Sequence, residues 1–117
     1  MQNLLLPTIL NETLIENGII LTISVPKDLA YFNGHFDQIP IVAGVVQIHW
    51  AVHYAKQYLG LMAEFKDMEN IKFKELILAE QPIKLELHYT ENTQKLVFSY
   101  YSDSVEYSSG RIYFHAL

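Results

Sequence analysis

One long helical segment, apolar on most of its sides, constrains the fold of this chain more than any other feature. No helix-breaking residue occurs from Gly44 or Val45 to about Met62. Its apolar positions are Val45, Ile48, Trp50, Ala51, Val52, Ala55, Tyr58, Leu59 and Met62. On a helix with about 3.6 residues per turn, these positions cover most of the circumference. The helix is therefore predicted to be largely buried, and the rest of the chain has to cover it.

The segments on both sides of this helix have the composition of β-strands. Thr8 to Glu16 and Ile19 to Val25 flank Asn17-Gly18, a dipeptide that readily supplies positive φ angles and predicts a hairpin. Further strands are predicted after the helix, over Ile71 to Leu78, Ile83 to Tyr89, Lys95 to Tyr101 and Val105 to Phe114. We therefore predict an α+β fold, an antiparallel sheet of about six strands wrapped around one long central helix.

Length and composition favour one soluble domain over residues 1–117. Half of the 117 residues are hydrophobic, which is enough for a core without cross-links, and there is no cysteine. The absence of cysteine excludes disulfides, thiolate nucleophiles and cysteine-ligated zinc, and it is compatible with a reducing cytoplasm. The net charge of −5 argues against a general nucleic-acid binder.

Neither a signal peptide nor a membrane span is expected. Met1 to Leu10 carries no basic region and is broken by Pro7. The longest apolar run later in the chain is interrupted by Gln47, His49 and His53. We therefore expect a cytoplasmic protein.

The most specific pattern in the chain runs from Tyr31 to Trp50 and reads YFNGHFDQIPIVAGVVQIHW. It contains an aromatic residue, Gly-His-Phe, a proline-bearing loop and a Gly-Val pair that opens the helix. The matching residues are Phe32, Gly34, His35, Phe36, Pro40, Gly44 and Val45. This pattern resembles the active-site segment of the hot-dog-fold 3-hydroxyacyl-[acyl-carrier-protein] dehydratases. Val45 to Trp50, VVQIHW, further resembles a short branch associated with aryl-polyene-type assembly lines. The resemblance implies a hydro-lyase without a cofactor, acting in fatty-acid or specialised polyene-type acyl synthesis.

Dehydration of a 3-hydroxyacyl thioester requires a base for the proton beside the carbonyl and an acid for the departing hydroxide. A neutral imidazole, whose ordinary pKa is about 6.5, suits the first role, so His35 is predicted to be the base. The charge that develops on the thioester oxygen needs fixed donors, which a helix N-terminus supplies. In the resembling family a glycine N–H holds this carbonyl, which implies that role for Gly44. A core histidine and a plain helix-start glycine are the alternatives for these two residues.

The residue fourteen positions after His35 departs from the family pattern. The family has Asp or Glu there, whereas this chain has His49. His49 is predicted to donate the proton as an imidazolium or to orient the hydroxyl. The alternative is that it belongs to a polar helix stripe with His53, Lys56 and Gln57. Asp37 and Ala43 also stand where the family usually has prolines, which bears on how rigidly the loop holds His35.

The resemblance also implies partners and a substrate channel. Family members are dimers in which the base of one protomer faces the helical acid of the other, so a homodimer or a trimer of dimers is expected. The substrate would be carried by an acyl carrier protein, and the likeliest docking charges are Lys72 and Lys74 with Lys27 or Lys56. The residues expected to line the acyl chain are Phe32, Phe36, Val45, Ile48 and Trp50, and ordinary core packing is their alternative.

Other functional classes fit the residues less well. His49 and His53 are four residues apart on one helix, but Trp50 stands where the zinc-protease motif has Glu and no third ligand is evident, so no metal is expected. A hot-dog acyl thioesterase would use a carboxylate-activated water, and no pattern supports Asp37 or Glu64 in that role. A non-catalytic acyl-binding partner of an active dehydratase stays open, because His49 replaces the family's acid.

Overall fold

The computed structural model describes residues 6–27 and 41–117. Its elements are β1 (Thr8–Ile15), β2 (Gly18–Ser24), α1 (Gly44–Leu59), β3 (Phe65–Phe73), β4 (Ile83–Thr90), β5 (Lys95–Ser102) and β6 (Val105–Phe114). Within these residues the strands form one six-stranded antiparallel sheet in the order β1-β2-β4-β5-β6-β3. The helix packs against β2 and β4. The predicted α+β arrangement is confirmed.

Alternate residues of the central strands form the core with the helix. The wholly buried large apolar strand residues are Ile19, Leu21, Ile23, Ile83, Leu85, Leu87, Leu96, Phe98, Tyr100 and Ile112. The helix contributes Val46, Trp50, Ala51, Tyr54 and Ala55 to the same cluster. Each large apolar side chain buried in this way stabilises the fold by about 1.5–3 kcal/mol. On the other face of β4, Lys84, Glu86 and His88 are only half-buried, as the alternation of that strand predicts.

The turn of the hairpin between β1 and β2 lies one residue earlier in the chain than the predicted one. Ile15 pairs with Gly18, so the loop consists of Glu16 and Asn17. Asn17 supplies the positive φ, at 59°. Gly18 is instead a buried strand residue, and a Cβ built on it would lie 2.1 Å from the carbonyl oxygen of Leu87. The glycine is therefore required by the close approach of β4 and not by the turn.

Two predicted boundaries are wrong. The helix ends at Leu59, short of Met62, because Gly60 follows it in the left-handed conformation with φ 68° and stops the helical hydrogen-bonding. The third strand runs over Phe65–Phe73, whereas the prediction was Ile71 to Leu78. This strand lies at the sheet edge and is mostly exposed, so its sequence lacks the alternation that marks a half-buried strand.

The segment that enters the helix is anchored to the chain that follows β3. Ile41 and Leu78 form an isolated antiparallel bridge. The Val42 N–H donates to the Ile77 carbonyl at 2.9 Å, and both Val42 and Ile77 are buried. The start of the helix is therefore held by backbone bonds to a segment more than thirty residues away along the chain.

Candidate active site

The predicted site residues fall into two groups. His35, Phe32 and Phe36 lie in the segment 28–40, outside the described residues. The other predicted residues are Gly44, Val45, Ile48, His49 and Trp50, and all of them lie on α1. The described part of the predicted site is therefore its helical half.

The N-terminus of α1 is suited to binding a negatively charged oxygen. Ala43 occupies the N-cap in an extended conformation, and its methyl side chain cannot accept a hydrogen bond from the first turn. The Ala43 carbonyl accepts the N–H groups of Val46 at 3.0 Å and Gln47 at 3.1 Å. The N–H groups of Gly44 and Val45 come earlier and have no acceptor within the helix. Because the first turn also carries no acidic residue, the positive end of the helix dipole is not offset there.

The side chain of Phe73, which sequence reasoning missed, packs onto the start of this helix. A Cβ built on Gly44 would lie 2.6 Å from Cζ of Phe73, so the ring occupies the space that a side chain at position 44 would take. Phe73 is the last residue of the edge strand β3 and is 51% exposed. A side chain at position 44 would therefore have to displace this ring, whatever the role of Gly44 toward a substrate. No local signal marks Phe73, because the contact joins two distant parts of the chain.

Gln47 is a second residue that the sequence reasoning missed, since it was interpreted only as a polar interruption. Its side chain is 3% exposed and bonded at both ends. The Nε2 group donates to the Val42 carbonyl at 3.0 Å, and Oε1 accepts from Ser108 Oγ at 2.6 Å. The Gln47 backbone carbonyl accepts from the Tyr100 hydroxyl at 2.7 Å. A polar residue on the buried face of a helix was the signal that could have revealed this network.

His49 and His53 lie on successive turns of α1 in different surroundings. His49 is exposed, whereas His53 is half-buried, and their ring centroids are 6.4 Å apart. The His53 ring also meets the Tyr54 ring edge-on, with the centroids 4.9 Å apart. Burial lowers the pKa of His53 below 6.5, and repulsion from His49 lowers it further. The predicted polar stripe is present, because Lys56 and Gln57 are exposed as well.

The three predicted lining residues on the helix lie in three environments. Val45 is 73% exposed in the single chain, Ile48 is half-buried against the core, and Trp50 is wholly buried. Their contact with an acyl chain stays a prediction. The lysines predicted to dock a carrier, Lys27, Lys56, Lys72 and Lys74, are exposed. Lys74 pairs with Glu106 at 2.5 Å, which offsets part of its charge.

The described residues contain two adjoining cavities at the opposite end of the helix. One of about 530 Å³ is lined by Leu14, Leu59 and Tyr89 among others, and a second of about 330 Å³ shares Leu59 and Tyr89 with it. They lie about 22 Å from Gly44, given a rise of about 1.5 Å per helical residue. Both therefore lie well away from the start of the helix.

Residues 6–27 and 41–117 present neither a metal cluster nor a membrane-spanning helix. In these two stretches, no cluster of three or more His, Asp or Glu side chains is arranged to hold a metal ion. No helical segment there combines the length and the hydropathy needed to cross a bilayer.

Comparisons with known proteins agree with this architecture. The model of the ApeI-like family, described as ApeI dehydratase, matches residues 11–111. An uncharacterized protein from Erwinia carotovora subsp. atroseptica shares 34% identity and a TM-score of 0.81, with 96% of this chain and 98% of that chain covered. A structure of the dehydratase heterocomplex ApeI:P from Xenorhabdus doucetiae shares 27% identity and a TM-score of 0.86, with coverages of 92% and 96%. Among curated proteins, no significant match is found.

These findings confirm both the predicted hot-dog fold and the predicted family. The family match covers the Gly-His-Phe pattern, the helix N-terminus and His49 together, as well as most of the sheet. The structural similarity extends over nearly the whole of both chains. This chain belongs to the ApeI-like dehydratase family of hot-dog-fold proteins.

Proposed function

We propose that this protein dehydrates a 3-hydroxyacyl thioester, carried by an acyl carrier protein, to the trans-2-enoyl thioester. The observation that carries the proposal is the dehydratase family match over residues 11–111. The start of α1 supports it, because Ala43 provides no side-chain cap and the first-turn N–H groups point out of the helix toward any bound oxygen. The reaction needs no cofactor, since it moves one proton and releases water.

In this mechanism His35 removes the proton from the carbon next to the thioester carbonyl. The electron pair moves toward the carbonyl oxygen, and the N–H of Gly44 stabilises the charge that develops there. The hydroxyl then leaves the next carbon and takes a proton from His49, or from a water that His49 orients, to become water. The acyl chain lies against Phe32, Phe36, Val45, Ile48 and Trp50.

The exposure of His49 supports a site shared between two chains. His49 projects from the surface of the single chain, near the exposed Val45, where a second subunit could bring its own His35 close. Such an arrangement needs a dimer, either of two copies or of this chain with a related subunit.

The experiment is to supply the purified protein with short and medium 3-hydroxyacyl thioesters of acyl carrier protein and of coenzyme A, and to measure enoyl formation. General acid-base catalysis contributes about 10²- to 10⁴-fold, so His35→Ala should lose activity by that factor. His49→Ala should lose part of the activity or all of it. His53→Ala is the matched control, because it removes the neighbouring imidazole one turn away and should keep most of the activity.

A second candidate function is a non-catalytic partner of an active dehydratase. It is favoured by the structural neighbour from Xenorhabdus doucetiae, which is a heterocomplex, and by His49 in place of the family's carboxylic acid. The absence of wild-type turnover on every thioester would exclude the enzyme that we propose and favour this partner.

A further inference from the structure

Gln47 is held in the protein interior by hydrogen bonds at both ends of its side-chain amide. A buried primary amide is costly unless its carbonyl and amino groups are both bonded, and both groups of Gln47 are. Among the described residues, the buried polar side chains are Gln47 and its partner Ser108. A Leu or Met at this position would need none of these bonds, so the polar network calls for an explanation beyond packing.

The sheet determines where Gln47 sits. Tyr100 and Ser108 are directly opposite each other on β5 and β6, so their side chains project from the same face toward the helix. Tyr100 binds the Gln47 backbone carbonyl and Ser108 binds its side-chain carbonyl. Burial, with a smaller contribution from Tyr54, raises the pKa of Tyr100 well above its ordinary value, so its hydroxyl remains a donor.

The amide can point in one direction only. The Val42 carbonyl is solely an acceptor, so the end of the Gln47 side chain that faces it must be the amino group. Oε1 then faces Ser108, which has to donate. The donor of Gln47 is thereby directed at the chain that enters the helix.

Both backbone polar groups of Val42 are hydrogen-bonded as a result. Its N–H donates to Ile77 at 2.9 Å, and its carbonyl accepts from Gln47 at 3.0 Å. These two bonds fix the peptide groups on either side of Val42, one residue before the N-cap Ala43 and two before Gly44. The Ala43 carbonyl also receives the backbone N–H of Gln47 at 3.1 Å. The orientation of the Gly44 N–H therefore depends on Gln47.

We infer that Gln47 is a positioning residue, which holds the Val42 carbonyl so that the Gly44 N–H is aimed at the thioester oxygen. This inference rests on the proposed dehydratase function. Gln47 touches neither substrate nor reacting atoms, and it acts through the backbone from Val42 to Gly44. A displacement of about 1 Å at a catalytic donor can cost about 10²-fold in rate.

Gln47→Met tests the inference, because Met has a similar length and can stay buried but cannot donate. Its kcat should fall about 10- to 100-fold with KM changed by less than about threefold, since the lost contact matters most in the transition state. Tyr58→Phe is the matched control. It removes the 2.7 Å bond from Tyr58 to Glu12, which ties the other end of the same helix to β1, and its kcat should stay at the wild-type value.

Gln47→Glu provides a signature that a purely structural role would not produce. An ionised carboxylate has no donor for the Val42 carbonyl, whereas a protonated one can donate to it and still accept from Ser108. Burial raises the pKa of a carboxylic acid, so the protonated form becomes accessible at mildly acidic pH. The kcat of this variant relative to wild type should therefore rise as the pH falls.

A measurement without turnover separates this inference from the proposed function. The amide NMR signal of Gly44 should shift, and its hydrogen exchange should accelerate, in Gln47→Met but not in Tyr58→Phe. Inactive wild-type protein would overturn the dehydratase proposal, whatever the amide signals show. Each of three results would overturn the positioning role. They are an unshifted Gly44 amide signal in Gln47→Met, a kcat of Gln47→Glu relative to wild type that does not change with pH, and equal losses of kcat in Gln47→Met and Tyr58→Phe.

Discussion

Gln47, His49 and His53 share one helix but differ in what surrounds each side chain. Gln47 is buried and hydrogen-bonded at both ends of its amide, His49 is exposed, and His53 is half-buried. Gln47 and His49 differ because the turn of about 100° per residue places them on nearly opposite faces. His53 lies one turn after His49 on the same side, and its ring packs edge-on against the buried Tyr54. Three polar residues within seven positions of one helix therefore lie in three different environments.

The lowered pKa of His53 gives a prediction about pH. His53 should titrate below 6.5 in a proton NMR titration of the folded protein, because burial and the His49 charge disfavour its protonation. Between the folded and unfolded pKa values the folded state binds fewer protons, so the free energy of unfolding should rise with pH across that range. The stability associated with neutral His53 is lost as the pH falls from 6.5 through the lower pKa of the folded state.

His49→Gln removes the repelling charge and should move the His53 titration upward. His115→Gln is the control, since His115 lies beyond β6 and is not among the causes of the His53 shift. Titration of His53 at 6.5 or above, or an equal effect of both variants, would contradict the interpretation.

Gly18 on β2 and Gly44 on α1 each lie close to a neighbouring element, and the expected cost of a side chain differs between the two positions. At Gly18, on β2, the nearest atom to an added Cβ is the Leu87 carbonyl oxygen of β4, which belongs to the sheet backbone. At Gly44, on α1, the nearest atom is the tip of the half-exposed Phe73 ring. A backbone oxygen cannot move without breaking the strand pairing, whereas a ring can rotate.

Gly18→Ala is therefore expected to destabilise the fold by about 3 kcal/mol, at the upper end of the range for overpacking. Gly44→Ala should cost less than about 1 kcal/mol, because the Phe73 ring can swing toward solvent. Urea denaturation of both variants measures the difference. Equal losses of stability in the two variants would contradict the expected difference between a backbone contact and a ring contact.

At the scale of the whole sheet, the described residues leave several large apolar side chains exposed along one edge, β3. The exposed large apolar residues at or near β3 are Met62, Phe65, Met68, Phe73 and Leu76, and Val45 is exposed at the start of the helix. Soluble proteins rarely leave such a group uncovered unless a partner binds there. The opposite edge, β1, carries Leu10 and Leu14 as its exposed apolar residues. The β3 edge is accordingly the expected subunit interface.

A homodimer should elute in light-scattering chromatography with twice the 13.5 kDa mass of one chain. Met68→Lys, on β3, should convert it to a monomer, because a charge would be buried in the interface. Leu10→Lys is the matched control on β1, since Leu10 is 52% exposed and Met68 is 47% exposed. A monomeric wild-type protein would contradict the homodimer and favour a related partner subunit. Dissociation by both variants would argue against the β3 edge as the interface.

Features that depend on neighbours in sequence were predictable from the chain alone. The helix from Gly44, the hairpin around Asn17 and the strands β4, β5 and β6 follow from periodicity and turn residues, which report local conformation. The Gly-His-Phe pattern and Gly44 likewise identified the dehydratase family, because the resemblance is carried by residues at fixed spacing. The roles of His35 and His49 in that pattern stay predictions.

Features that depend on distant residues became visible only in the folded chain. The exposed edge strand β3 lacks the alternation of apolar and polar residues that would predict a strand. Its pairing partner is β6, about forty residues later in the chain. The bonds of Gln47 to Tyr100 and Ser108, and the contact of Phe73 with Gly44, join residues separated by 29 to 61 positions. A sequence pattern records which face of an element is apolar, but packing selects the atoms that meet across that face. The geometry at the start of the helix is therefore a property of the tertiary structure.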